Sequence, residues 1–197
     1  MPNWCSTSYC IHGPKNAVED ARKFILKALA DAPMKDASSP NSWLGQIVIA
    51  CGEEYENVSC RGWIQDITEI EEQDIDNEVM SYFYIYSEDA WGPNPEVFEL
   101  MLKKKFSGCG LKLCFLAEEP GCCVYVNTDN SGRFLSDRWV LDDFNSFHEY
   151  FESDEDLIDF LNREFKAGCD SLDEVYEFVK KVNEESKSLG LFRFSAE

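Results

Sequence analysis

The chain opens with a regular alternation of side-chain types. Two sets of positions alternate through residues 4–12: Trp4, Ser6, Ser8, Cys10 and His12 form one set, and Cys5, Thr7, Tyr9 and Ile11 form the other. Both sets contain residues that favour strands, and a period of two is typical of a strand with two different faces. Gly13-Pro14 ends the pattern. The segment is therefore predicted to be a paired, partly buried strand.

Apolar residues then recur at helical spacing in three places. A helix is predicted at 15–32, and a second, shorter one at 43–51 with Ser42 as its N-cap. A third is predicted at 95–106, where prolines precede the apolar positions. A loop is expected at 33–42, since Pro, Ser and Asn dominate there.

The remaining patterns of the first two thirds predict strands. Segments 59–72 and 78–92 favour a long β-hairpin around the polar residues 71–77, with Cys60, Gly62, Ile64, Asp66 and Thr68 on one face. Further strands are predicted at 110–119, 122–128 and 133–143. The order β-α-α-β-β-α-β is that of the ferredoxin-like split βαβ plan. We therefore expect an α+β fold with a ferredoxin-like antiparallel sheet, extra edge strands and a C-terminal helical tail.

Two amphipathic helices are predicted in the tail. Ser153 and Ser171 are suited to N-caps, and Asp156 and Glu174 follow three residues later as capping-box partners. The sequence thus predicts a ferredoxin-like domain at 1–141 and an acidic α-helical extension at 142–197.

Net charge restricts the partners that the protein can have. The chain carries 38 acidic and 18 basic residues, a formal net charge of −20. Direct binding to nucleic acid or to an anionic membrane needs clustered Lys and Arg, so neither is expected. No secretory signal and no membrane-spanning run is recognisable, which predicts a cytoplasmic protein.

The nine cysteines are predicted to be free thiols, because their number is odd and no secretory signal precedes them. Cys5, Cys10 and His12 have a spacing close to that of zinc ligands, but strand alternation places Cys5 on the opposite face. No phosphate-binding, dinucleotide-binding or metalloprotease motif is present either. Neither a metal nor another cofactor is therefore expected, and no catalytic residue is assigned.

Four segments together resemble the YubB-like family of phages, plasmids and other mobile elements. They are MPNWCSTSYCIHG, CRGWIQDI, EDAWGPNPEVFELMLKKKF and LAEEPGCCVYV, and the resemblance covers roughly residues 1–128. The family's turn usually reads W-S-P-P, whereas this chain has Trp91-Gly92-Pro93-Asn94. The resemblance implies a ferredoxin-like fold and the cytoplasm of a bacterial host. It implies no activity.

Two groups of residues are candidates for a functional site. Rows of carboxylates without intervening Lys or Arg are predicted to bind a partner: Glu69, Glu71, Glu72, Asp74, Asp76, Asp154, Glu155 and Asp156. A ligand cleft is the other candidate, formed by Trp4, Trp63, Trp91, Glu118 and Glu119. The tryptophans could equally close the ends of the core, and the glutamates could cap a turn in water.

The acidic rows favour a non-enzymatic interaction protein. Dense carboxylates can imitate a phosphate backbone, so we expect a basic host protein as partner, for example a restriction or CRISPR effector that this protein inhibits. The alternative is a small-molecule or nucleotide-binding domain that uses Trp63 and Trp91 for stacking, together with Glu118 and Glu119.

Overall fold

A computed structural model describes residues 3–31, 42–75, 78–143, 147–185 and 189–196. They form two compact units that divide between Val124 and Tyr125. Asp76 and all but the last residue of the predicted loop at 33–42 lie outside the described residues. Both units combine helices with antiparallel sheets, which confirms the predicted α+β class. None of the described helices has the length and apolar character needed to cross a membrane.

The described part of unit 1 contains five strands and three α-helices. In chain order they are β1 (Trp4–Gly13), α1 (Lys15–Ala30), α2 (Gly45–Ala50), β2 (Gly62–Ile67), β3 (Glu71–Ile75), β4 (Glu78–Ala90), α3 (Glu96–Lys105) and β5 (Lys112–Glu119). The strand order is β2-β4-β1-β5, and β3 pairs with the first half of β4. The first strand of the chain is therefore central, since β4 and β5 both pair with it.

One face of this sheet carries the core of unit 1. The odd-numbered residues of β1 lie on this face, where Tyr9 and Ile11 are fully buried beside Phe83 and Ile85 of β4. The amphipathic helices α1 and α3 bury Ile25 and Phe98, among others, in the same cluster. We call this the inner face and the opposite one the outer face.

The hairpin differs from its prediction in two ways. A β-bulge between Ile64 and Asp66 shifts the register, so that Asp66 lies opposite Tyr86 on the outer face and Ile67 lies opposite Ile85 on the inner face. One extra residue in a strand exchanges its two faces, and the predicted common face is therefore wrong beyond Ile64. The residues predicted as a polar loop at 71–77 include strand β3, whose pairing with β4 is independent of side-chain polarity.

Unit 2 contains a second sheet. The unit comprises β6 (Val124–Asn127), which begins at the boundary and is not part of this second sheet, β7 (Trp139–Asp142), β8 (His148–Phe151), α4 (Asp154–Phe165), α5 (Leu172–Glu184) and β9 (Gly190–Arg193). The predicted strand at 133–143 is shorter than expected. It lies at the centre of the order β8-β7-β9 and does not extend the first sheet. The tail is therefore not purely helical, because two of its segments pair with β7.

The tail helices begin as predicted. Ser153 Oγ accepts a hydrogen bond from the backbone N–H of Asp156 at 3.1 Å, and Ser171 Oγ accepts one from Glu174 at 3.4 Å. Both helices bury one face in a cluster that includes Trp139 and Leu141 of β7. By contrast, the N-cap of α2 is Leu44 instead of the predicted Ser42, so this helix begins two residues later than predicted.

Candidate functional site

An exposed row of carboxylates follows the open edge of the first sheet. Glu69 precedes β3, and Glu71, Glu72 and Asp74 lie on it; all four are exposed. In the described part of the chain β3 pairs only with β4, so its other edge is available for pairing. We call these four carboxylates the acidic edge.

Three members of the acidic edge have partners on the surface. Arg22 and Lys15 of α1 pair at 2.7 Å with Glu69 and Glu72, respectively. The Tyr82 hydroxyl donates to Glu71 Oε2 at 2.8 Å. Ion pairs at the surface contribute little to stability, so these contacts leave the carboxylates available to a partner.

The other predicted acidic group has local roles at the start of α4. Asp154 accepts a hydrogen bond from Trp139 Nε1 at 2.8 Å, and Asp156 accepts one from the Ser153 hydroxyl at 2.7 Å. Glu155 is exposed in the same turn. Negative side chains are favourable there because the first turn of a helix carries partial positive charge.

The residues of the predicted ligand cleft lie at one end of the first sheet, but they are divided between its two faces. The strand register aligns one row across the outer face: Trp63, Glu88, Ser6 and Glu118. The Ser6 hydroxyl donates to Glu88 Oε1 at 3.2 Å within that row. Glu119 follows Glu118 in the strand and so lies on the inner face. The two glutamates therefore do not form a carboxylate pair.

Asn3 connects the two loops that carry Trp91 and Cys122. Its carbonyl accepts a hydrogen bond from the Trp91 N–H at 2.9 Å, and its side-chain amide donates to Cys122 Sγ at 3.1 Å. Trp91 is 54% exposed and has a φ of 74°, which is rare for a residue with a side chain. Trp4 is exposed next to it, because Trp4 pairs with Ala90.

Glu119 is 6% exposed, and no hydrogen bond from the described residues reaches its Oε2. Its hydrogen bond with Cys122 is the main cause that raises the pKa of that thiol. Cys122 lies in a tight turn that begins at Pro120, so the predicted strand at 122–128 begins two residues late, at Val124.

A buried polar cluster lies at the same end of the inner face. Asp89 accepts hydrogen bonds from the Tyr9 hydroxyl at 2.6 Å, from Ser87 Oγ at 3.1 Å and from the Asn94 N–H at 3.3 Å. Burial raises the pKa of Asp89, and these hydrogen bonds oppose that shift. Burial likewise raises the pKa of the Tyr9 hydroxyl. We call Tyr9, Ser87, Asp89 and Asn94 the Asp89 cluster.

The Asp89 cluster was not among the predicted sites, although the sequence contains a signal for it. The buried residues of β4 are odd-numbered and alternate with exposed or half-buried even-numbered residues. Asp89 continues the buried series, which includes Phe83 and Ile85. A buried carboxylate needs hydrogen-bond donors, and it obtains them from three separate segments. It thereby fixes the loop before α3 against β1.

Two cavities lie elsewhere. A groove of about 390 Å³ runs between α1 and α2, where Phe24 and Ile49 contribute apolar surface and Lys27 a charge. A cleft of about 520 Å³ lies within unit 2, with Asn127, Arg138 and Phe194 in its wall. No cluster of three or more potential metal ligands occurs among the residues that the structure describes.

No family model, curated protein or solved structure matches this chain. The geometry of these surfaces is therefore the basis for assigning a function. Of the two predicted sites, the acidic edge is the more accessible, whereas the ligand-cleft residues are divided between two faces of one sheet.

Proposed function

We propose that the protein is a non-enzymatic interaction protein that binds a basic protein through its acidic edge. One observation carries the proposal: an open strand edge in which four consecutive positions, 71–74, are exposed and three of them are carboxylates. Exposed edges bind extended segments through the backbone, while the side chains select the partner. A Lys- or Arg-rich segment complements this edge.

The placement of the charges also supports a partner that normally binds nucleic acid. Glu71 lies opposite Tyr82 on the outer face, whereas Glu72 and Asp74 lie opposite Ser81 and Val79 on the inner face. The acidic edge therefore presents carboxylates on both faces of β3. Such a concentration of negative charge is complementary to the basic groove of a nuclease or other nucleic-acid-binding effector.

The proposal includes the family and its setting. A ferredoxin-like, YubB-like protein of a phage or another mobile element would act on such an effector in the bacterial cytoplasm. The strand order β2-β4-β1-β5 with α1 and α3 on the inner face supports the ferredoxin-like plan. The nine free cysteines support a reducing compartment.

A second function is favoured by a separate observation. Trp4 and Trp91 are exposed at one end of the sheet, and the left-handed backbone at Trp91 is the kind of strained conformation that is found at binding sites. A small molecule or nucleotide could stack there beside Trp63 and Glu118, whereas Glu119 is buried on the other face.

A matched pair of variants tests the proposal. The first neutralises the acidic edge through Glu69→Gln, Glu71→Gln, Glu72→Gln and Asp74→Asn. The control neutralises four exposed carboxylates of unit 2, through Asp159→Asn, Asp173→Asn, Glu177→Gln and Glu184→Gln. Both sets change the formal net charge from −20 to −16. Differences between the variants therefore report the position of the charges.

The readout is the capture of proteins and small molecules from a bacterial lysate. We expect the wild type and the control to retain the same basic protein at about 0.1 M salt and to lose it at about 1 M, as the Debye length falls from about 10 Å to about 3 Å. The acidic-edge variant should retain none of it. Equal retention by both variants would contradict the proposal. A retained small molecule without a protein partner would support the second function.

A further inference from the structure

Unit 2 contains a chain of hydrogen bonds between a carboxylate, an imidazole and a phenol. Asp142 Oδ2 lies 3.0 Å from His148 Nδ1, and His148 Nε2 lies 2.9 Å from the Tyr150 hydroxyl. The strands explain this arrangement, because Asp142 of β7 is directly opposite His148 of β8. Tyr150 is two residues further along β8 and so lies on the same face.

A single tautomer satisfies both contacts. With its proton on Nδ1, the imidazole donates a hydrogen bond to the buried Asp142. The other ring nitrogen, Nε2, then has a lone pair directed at the Tyr150 hydroxyl, which donates to it. This order of carboxylate, imidazole and hydroxyl is the one in which a histidine acts as a base towards a nucleophile.

The hydroxyl-bearing residue is both accessible and fixed in position. Tyr150 is 41% exposed, so a reagent from solvent can approach it. Its ring packs edge-on against His148, with centroids 4.9 Å apart, and stacks on Phe194 at 6.4 Å. The two rings hold the tyrosine in place while its hydroxyl faces His148.

We propose that Tyr150 is a nucleophile activated by His148 and Asp142, and that it accepts the acyl group of an activated carboxylic ester. The phenolic oxygen forms a bond to the acyl carbon as its proton passes to His148 Nε2. The bond between the acyl carbon and the leaving oxygen breaks, and the departing alkoxide or phenoxide takes that proton. Asp142 stabilises the imidazolium that forms in between. This site is independent of the acidic edge.

The test uses 4-nitrophenyl acetate with the full chain and measures the acetylation rate of each tyrosine by peptide mapping. Tyr176 of α5 is the internal control, because it is 49% exposed and packs edge-on against Trp139. General-base assistance contributes about 10²–10⁴-fold in enzymes. We therefore expect Tyr150 to be acetylated at least about tenfold faster than Tyr176.

Two variants separate activation from simple exposure. His148→Phe keeps an aromatic ring beside Tyr150 but removes the base. Asp142→Asn presents an amide N–H to Nδ1 and so favours the tautomer that donates to Tyr150. Either variant should reduce the acetylation rate of Tyr150 to that of Tyr176. The acetylation rate of Tyr176 should stay unchanged, and this also serves as the control that the fold is intact. Equal rates for the two tyrosines in the wild type, or an unchanged Tyr150 rate in both variants, would overturn the proposal.

Discussion

At the scale of single residues, Asp89 shows how a buried charge can organise the end of a sheet. Its carboxylate joins β4 to β1 through Tyr9 and to the loop before α3 through Asn94. Gly62 lies opposite Asp89 in β2, where a Cβ atom would collide with Asp89 Oδ1. Glycine at this position therefore allows the close approach of two strands around the cluster.

The raised pKa of Asp89 predicts a specific dependence of stability on pH. Because burial raises the pKa in the folded state, the folded protein binds the proton more tightly than the unfolded chain. The contribution of Asp89 to the free energy of unfolding should therefore decrease as the pH rises from about 4, the ordinary pKa of Asp, through the higher folded value.

The comparison is with Asp89→Asn, which does not titrate at this position. Urea unfolding between about pH 4 and about pH 7 should show the stability of the wild type, relative to the variant, falling as the pH rises. A relative stability that rises over this range would contradict the assignment of burial as the dominant cause.

Thiol reactivity provides a second prediction for single residues. Cys109, Cys122 and Cys123 are exposed, whereas the other six cysteines are buried. In the native protein a disulfide reagent should react quickly with these three only, because burial raises the pKa of a thiol such as Cys5 to about 12 and blocks access. Cys122 should be the slowest of the three, since its hydrogen bond with Glu119 raises its pKa.

Thiol titration in denaturant without a reductant is the control, and it should count all nine cysteines. A lower count there would indicate disulfides. Fast reaction of buried Cys10 or Cys114 in the native protein would show that this part of the sheet opens readily.

At the scale of elements, the caps of the tail helices allow a precise stability prediction. Replacing Ser153 with Ala removes the acceptor for the Asp156 N–H and should destabilise α4 by about 1 kcal/mol. Hydrogen exchange of the amides in the first turn of α4 is the measurement. Ser153→Asn is the matched control and should preserve protection, since Asn also caps well. Equal exchange in both variants would show that the cap contributes nothing.

The elements also show which features the sequence could predict. The caps at Ser153 and Ser171, the helices α1 and α3 and the first strand are local patterns, and each was predicted close to its observed position. The β-bulge after Ile64 is different, because it depends on the pairing of β2 with β4. The same holds for β8 and β9, short segments that are strands only because β7 lies between them.

The candidate sites follow the same rule. The exposure of Glu71, Glu72 and Asp74 could be predicted from the high density of carboxylates in this segment alone. The separation of Glu118 from Glu119 also follows from a local pattern, because both belong to the predicted strand at 110–119 and adjacent strand residues point to opposite faces. The chain from Asp142 to Tyr150 through His148 requires the register of two strands, which no single segment encodes.

At the scale of the whole molecule, the excess of acidic residues and the open edge of β3 act together. A net charge of −20 favours association with basic partners at long range and disfavours pairing with a second copy of the chain. In the proposed function, the acidic edge provides the short-range contacts. The division into a ferredoxin-like domain at 1–141 and an acidic C-terminal extension at 142–197 stays a prediction.

Site-specific photo-crosslinking at Gln73 tests the central claim most directly, because this residue is exposed in the middle of the acidic edge. One protein carries p-benzoylphenylalanine in place of Gln73, and the control carries it in place of the exposed Glu177 of α5. In a bacterial lysate at about 0.1 M salt we expect a basic protein to cross-link at position 73 only, and to be lost at about 1 M salt. Cross-linking of the same protein at both positions, or none at position 73, would contradict the proposed role of the acidic edge.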